Sequence, residues 1–327
     1  MTETQTSPSP DLNQRHLQAE LACLDLRLQA EITRWRLAGQ DPGDDFRGLY
    51  VSDETARALL ERPFGSDWGD AVQLPADQQH SLTASLERGA LEIDRLRQEA
   101  TQSGQSLRLD RLVEIFGLNE LDRQTLLICL APALDPRYER IYGYLQDDVT
   151  RRQPSLNLIF NLFCVPGTGR RDPGSDRLAQ LARFTAGSRL QEQRLVERLP
   201  DPARPAGNPL AHSLALDETL TAWLLGQDRL HPNLTGRASL TRPVDEPADE
   251  LLAQAFWAEL PSPLPAQSKL AFWGPDRASQ EAAARRLSVH YDRPLLRLDL
   301  EPRLEDPQDA EELLILACRD ARLHQAL

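Results

Sequence analysis

The 327-residue chain reads as a mainly α-helical protein followed by an incomplete α/β segment. Three observations predict this. Apolar stripes recur at three- and four-residue steps as far as Gly187, the signature of packed helices. Two short apolar runs then flank a proline-rich loop, as in a hairpin. From Lys269 onward the order becomes strand, loop, helix, strand, helix.

Residues 1–10 are polar and read as a disordered tail. A long helix over 11–38 carries Leu17, Leu21, Leu24, Leu28, Ile32 and Trp35 on one stripe, ended by Gly39 and Pro42. Packing against the same chain explains the stripe better than a coiled-coil seam, which needs three or four sustained heptads. Phe46 to Val51 reads as a short strand or extended segment, and Ser52 caps a helix to Glu61. A helix from Ala76 to Ser103 ends at Gly104.

The middle third is the most apolar. Leu107 to Phe116 is a short helix closed by Gly117. Asn119 caps the next helix, which Pro132 is expected to stop. A third helix starts at Asp135-Pro136 and a fourth at Pro154. Four short helices with tight turns resemble a helix-turn-helix core. One more helix, Arg170 to Gly187, precedes two strands, Arg194–Leu199 and Leu210–Leu216, whose proline-rich connection looks like the wing of a winged helix. Asp217 caps the following helix. A linker runs over 231–248, and a helix over Ala248–Leu260 leads to the spacer Pro261–Pro265.

The net charge of -13 disfavours non-specific nucleic-acid binding. Thirty-six arginines and one lysine, Lys269, supply the positive charge. Residues 107–152 hold seven arginines against eight acidic residues, whereas DNA readers carry a basic face. Cys23, Cys129, Cys164 and Cys318 are scattered among apolar residues without clustered histidines, which argues for free thiols and against zinc. The start has no secretory leader, and no apolar run reaches the ~20 residues of a membrane helix, so a cytoplasmic location is expected. His80 and His212 stand apart from any nucleophile, no G-x-S-x-G elbow occurs, and the pairs Asp44-Asp45 and Asp147-Asp148 read as loop or helix-end acids.

The last segment has the order of a P-loop nucleotide domain. Lys269–Trp273 is suited to a buried strand, Gly274–Glu281 to the loop, and 294–300 to the second strand. On the pattern G-x-x-x-x-G-K-[ST], Gly274 fills the first glycine, with Pro275 and Arg277 among the free positions. Ser279, Gln280 and Glu281 stand where the second glycine, the lysine and the hydroxyl belong. Gln280 carries no charge. Glu281 sets a carboxylate at the phosphate mouth, at on the order of 4 kcal/mol for a like-charge contact near 4 Å in an effective dielectric of 20. Without a magnesium-holding acid after a third strand, this chain is expected not to hydrolyse ATP and to need no cofactor.

One long motif carries a family resemblance. Leu109 to Leu118, then Asp122-Arg123, then Leu126 to Arg152 resemble the winged-helix region of bacterial AAA+ ATPases encoded beside phage-tail-like contractile injection systems. The similar stretch runs from about Phe46 to the chain end. The resemblance implies an ATP- and magnesium-dependent family, protein partners among injection-particle components, a homo-oligomer in the full-length protein, and a role in assembling or remodelling the particle. The departures at Ser279, Gln280 and Glu281 set this module apart from that pattern. The expected organisation is a tail (1–10), a helical region (11–104), a winged-helix-like domain (105–230), a linker (231–268) and a truncated, degenerate AAA+ P-loop domain (269–327). A stand-alone adaptor and a DNA-binding regulator are the alternative functions.

Overall fold

The computed structural model describes residues 11–39, 53–61, 72–164, 173–185, 187–199, 208–244, 260–262, 264, 270–273, 276–300 and 307–327. The tail, the strand or extended segment expected at 46–51, the wing loop at 200–207 and, of the helix expected at 248–260, all but Leu260 lie outside them. The chain divides into two compact units, residues 1–227 and 228–327.

The first unit opens with α1 (Leu12–Leu37), α2 (Asp53–Glu61) and α3 (Ala76–Gln102). Leu17, Leu24, Leu28 and Trp35 of the α1 stripe are buried within the chain. Leu21 and Ile32 are only half-buried, while His16, Glu20 and Glu31 share the buried face. α4 (Arg108–Phe116) ends where Gly117 takes the left-handed conformation, φ 57°. There Gly117 N–H bonds Glu114 O and Leu118 N–H bonds Val113 O, closing the last turn.

α5 (Glu120–Leu134) is the hub of the unit. Residues Thr125 to Pro132 are all buried. Asn119 and Asp122 cap its start reciprocally: Asp122 N–H donates to Asn119 Oδ1 at 2.9 Å and Asn119 N–H to Asp122 Oδ2 at 3.0 Å. Pro132 does not stop this helix; it lies inside the last turn. Proline lacks the N–H that would bond the carbonyl four residues back. That carbonyl, Ile128 O, instead accepts from the Tyr142 hydroxyl at 2.9 Å. The orphan is satisfied from the next helix, so the chain keeps its turn to Leu134.

α6 (Arg137–Leu145) and α7 (Leu156–Phe163) follow, and Ser155 caps α7. The single helix expected over 170–187 is α8 (Pro173–Thr185), with a short α9 (Arg189–Glu192) after Gly187. β1 (Val196–Leu199) pairs antiparallel with β2 (Ser213–Leu216), in the register Val196↔Leu216 to Leu199↔Ser213. Ser155 bridges Ser213 on the other side of β2. Leu214 N–H bonds Pro154 O at 2.8 Å, and Leu156 N–H bonds His212 O at 3.2 Å. A residual strand before α7, the helices α7 and α8 with the short α9, and a hairpin joining that strand reproduce winged-helix order. α10 (Glu218–Leu224) closes the unit under the Asp217 cap.

The second unit differs more from expectation. Its sheet joins β3 (Ala238–Thr241), inside the stretch read as linker, to β4 (Leu295–Leu298), antiparallel. α11 (Arg277–His290) precedes β4 and α12 (Pro307–Leu323) follows it. Leu234, Leu313, Leu316 and Ala317 form the core under the sheet, with Leu296 and Leu298 packed on it. The buried strand expected at 269–273 is not found: Leu270 to Trp273 form no strand, and Trp273 is 93% exposed. The physical reason is that β4 already has neighbours. β3 lies on one side, with Asp299 N–H bonded to Arg237 O at 2.8 Å. On the other side Leu327 N–H bonds Pro294 O at 2.7 Å, and Leu296 N–H bonds Leu327 O at 3.0 Å. Those two bonds have the pattern of a parallel pair, so after α12 the chain returns beside its own strand, with Leu327 next to β4.

Candidate functional site

Three places can carry function. The first is the phosphate-binding position expected from sequence. Gly274 and Pro275 lie outside the described residues. Ser279, Gln280 and Glu281 lie in the first turns of α11, with Arg277 at its start. The exposed N–H groups there would meet a phosphate in an active loop. Here they meet the protein's own acid. Asp276 accepts from Ala278 N–H and Ser279 N–H, both at 3.1 Å, and from Ser279 Oγ at 2.5 Å. The Ser279 hydroxyl and these amides hold the Asp276 carboxyl below its usual range. Arg277 pairs with Asp299 at 3.2 Å and with Glu281 at 3.5 Å, and Arg297 pairs with Glu281 at 3.0 Å. The carboxylate occupies the anion's place, and the nearby arginines already face acids.

The second is the recognition position of the winged helix. Between the residual strand at Ser155 and the hairpin lie α7, α8 and the four-residue α9, so α8, the second full helix after that strand, holds the recognition position. Its two arginines turn inward. Arg177 Nη1 donates to Asn161 Oδ1 at 2.7 Å, Nη2 donates to Asn157 Oδ1, and the guanidinium lies 5.8 Å from the Phe160 ring centroid. Arg183 pairs with buried Asp122 at 2.6 Å. Leu178, Ala179 and Ala182 are the exposed residues of this helix among those whose side chains are described.

The third was missed from sequence: a buried ionic cluster where α1, α3, α4 and α5 meet. His16 and Glu20 project from α1 one turn apart. Arg97 comes from α3, Asp110 from α4 and Arg123 from α5. Arg123 Nη2 bonds Glu20 Oε1, and its Nη1 bonds Asp110 Oδ1 at 2.6 Å. Arg97 Nε bonds Asp110 Oδ2 at 3.0 Å. His16 Nε2 stands 3.5 Å from Glu20 Oε1 and 3.6 Å from Asp110 Oδ2. His16 is fully buried, and neither ring nitrogen has a hydrogen-bond partner.

Burial, reinforced by Arg123 and Arg97 and opposed by Asp110, lowers the His16 pKa to about 4. The imidazole is therefore neutral at neutral pH. Burial raises the Glu20 carboxyl against the pull of Arg123. Burial also pushes Asp110 up, but its bonds to Arg97 and the charge of Arg123 outweigh this and hold it below the carboxylate range. Two carboxylates face two guanidiniums, so the cluster closes without net charge. The signal in the sequence was available: His16 and Glu20 fall at buried phases of the α1 stripe, beside Leu17 and Leu24. A polar pair there demands partners from other helices.

No helix among the described residues is long and apolar enough to cross a membrane. No curated protein matches this chain. No solved structure matches it either. A family model does match, over residues 11–238, spanning the helical region, the hairpin and the first residue of β3. The chain belongs to the family described as winged helix domain, variant.

Proposed function

We propose that this chain is a protein-contact winged-helix module, the amino-terminal regulatory and partner-binding portion of an AAA+ type protein. The observation that carries the partner-binding reading is the direction of the α8 arginines. A DNA-reading helix spends cations on phosphates. Here Arg177 and Arg183 are bonded to Asn157, Asn161 and Asp122, and the outward residues among the described side chains are Leu178, Ala179 and Ala182. The net charge of -13 points the same way.

The AAA+ assignment, and a role in assembling or remodelling a contractile injection particle, rest on the resemblance over Leu109–Arg152. The helix, strand and helix of the second unit, with Leu327 in parallel register beside β4, support it. The self-capped start of α11 supports an inactive phosphate position. It equally favours the alternative reading, a stand-alone adaptor that uses no nucleotide. In this proposal the partners are proteins, including further copies of the chain.

The test is fluorescence anisotropy with a labelled mixed-sequence duplex at low salt, beside affinity capture of candidate injection-particle proteins. The reading expects no DNA binding, and capture that is lost in Leu178→Asp with the helical spectrum unchanged. Salt-dependent duplex binding that Arg177→Ala abolishes would overturn it.

A further inference from the structure

We propose that the opening turns of α1, residues 12–20, form an acid-released arm, latched to α3, α4 and α5 by the ionic cluster around His16 and let go when the imidazole takes a proton. The seat of this segment differs from that of the rest of its helix. Its buried residues are Asn13, His16, Leu17 and Glu20, of which only Leu17 is apolar. Beyond it, Leu24, Leu28, Ala30 and Trp35 are buried beside a single acid, Glu31. The opening turns are thus held by polar bonds. Asn13 Nδ2 donates to Leu224 O at 2.7 Å, and Asn13 Oδ1 accepts from Arg108 N–H at 3.0 Å. Arg15 pairs with Glu99 of α3 at 3.0 Å. A segment with so little apolar burial belongs to the low-stability end of a fold and can open while the core stays closed.

The cluster decides when it opens. The charged groups that face His16 are Glu20 on its own helix, Arg97 from α3, Asp110 from α4 and Arg123 from α5. The contact of α1 with α6, Asp25 with Arg137, lies more than two turns further along. Neither ring nitrogen of His16 has a hydrogen-bond partner. The carboxylate oxygens nearest to Nε2 are already taken, Glu20 Oε1 by Arg123 and Asp110 Oδ2 by Arg97. A proton on the ring therefore adds a third cation to two acids that two guanidiniums already neutralise, in a fully buried place.

The sign follows from the two states. The released ring is in water and titrates near 6.5, while burial holds the latched ring to about 4. Between these values falling pH favours release. From pH 7 to 5 the released population rises by about twentyfold from His16 alone. Glu20, whose carboxyl burial raises, takes its proton more readily in the latched state and offsets part of this, leaving about tenfold. The arm lies in the first unit and does not depend on the partner-binding reading.

The experiment is native-state hydrogen exchange on the full chain at pH 7 and 5, with rates converted to protection factors. Amides of residues 16–20 should be less protected than those of Leu158–Leu162 in α7 at both values. They should lose about tenfold in protection at pH 5, and low urea should leave them unchanged, because a local opening exposes little surface. His16→Gln should abolish the pH response. Arg97→Met, a change at a side chain 40% exposed, should reduce it well below tenfold by leaving Asp110 Oδ2 open to the imidazolium, which keeps the test decisive if His16→Gln folds poorly. Equal protection of the two segments with equal urea dependence would mean that α1 opens only by global unfolding, and overturns the proposal. So does protection of residues 16–20 that does not change with pH, or a pH response that survives intact in Arg97→Met.

Discussion

The hydrogen bond from Tyr142 to Ile128 O exists because Pro132 cannot make it. This gives a double-mutant cycle with a definite sign. Tyr142 and Ile128 are both fully buried, and the hydroxyl donates at 2.9 Å. Tyr142→Phe removes the donor with almost no change of shape, so no cavity forms and the cost is that of an orphaned buried carbonyl, about 2 kcal/mol. In a unit of this size that is a Tm loss of roughly 4–8 °C. Pro132→Ala restores an N–H in helical register with the same carbonyl. In that background Tyr142→Phe should cost at least ~1 kcal/mol less, because the backbone supplies the missing bond. Urea unfolding of the four chains, followed by far-UV circular dichroism, reads the difference. Equal costs in both backgrounds would refute the account, and would mean that Ile128 O is satisfied in some other way.

Two further outcomes follow from the same helices. The unfolded chain protonates His16 near pH 6.5, while burial keeps the folded chain from doing so until about 4. Stability is therefore lost as pH falls through that window, by ~3 kcal/mol. Glu20, whose folded value burial raises, partly offsets this loss as pH falls, and Asp110 adds its own loss only below the ordinary aspartate range, because its folded value is depressed. Urea midpoints measured from pH 7 to 4 should show a slope in the parent chain that His16→Gln lacks. At Gly89, an added Cβ would overlap Cys23 Sγ across the α1–α3 pair. Gly89→Ala, which favours an isolated helix by about 1 kcal/mol, should here lower the Tm. Cys23→Ala in the same chain should restore most of the loss, and thermal unfolding without rescue would reject the contact.

Much of the first unit was legible because its signals are local. Asn119 three residues before Asp122, Gly117 after Phe116 and Asp217 before Glu218 each mark a helix end by chemistry confined to one turn. The hairpin showed itself in the proline-rich loop between two apolar runs. What failed was non-local. Pro132 looks like a stop until a hydroxyl from another helix takes the freed carbonyl. Lys269–Trp273 looks like a buried strand, but burial depends on a free neighbour, and β3 and Leu327 already flank β4. The position of α8 as the recognition helix depends on a single bridge, Ser155 to Ser213, that no periodicity announces. The ionic cluster was legible only as a polar pair, His16 and Glu20, on the buried stripe of α1. Its members come from four helices, and only His16 and Glu20 are close in sequence.

The same non-local bonds argue for the partner class. For α8 to serve DNA, Arg183 would have to leave Asp122. Asp122 is fully buried, and one of its oxygens, Oδ1, has no hydrogen-bond partner even with Arg183 in place. Taking the guanidinium away strands a buried carboxylate at the start of the hub helix, where breaking a buried pair costs about 3–5 kcal/mol. A single phosphate contact at the surface returns less than that. Arg177 is held similarly, by two asparagine side chains and the Phe160 ring. The recognition helix has thus spent its cations on fixing its own seat against α5 and α7. Among its described side chains, what it leaves outside is Leu178 with two alanines, a surface whose favourable contact is another apolar side chain, which a protein can offer and a phosphate backbone cannot.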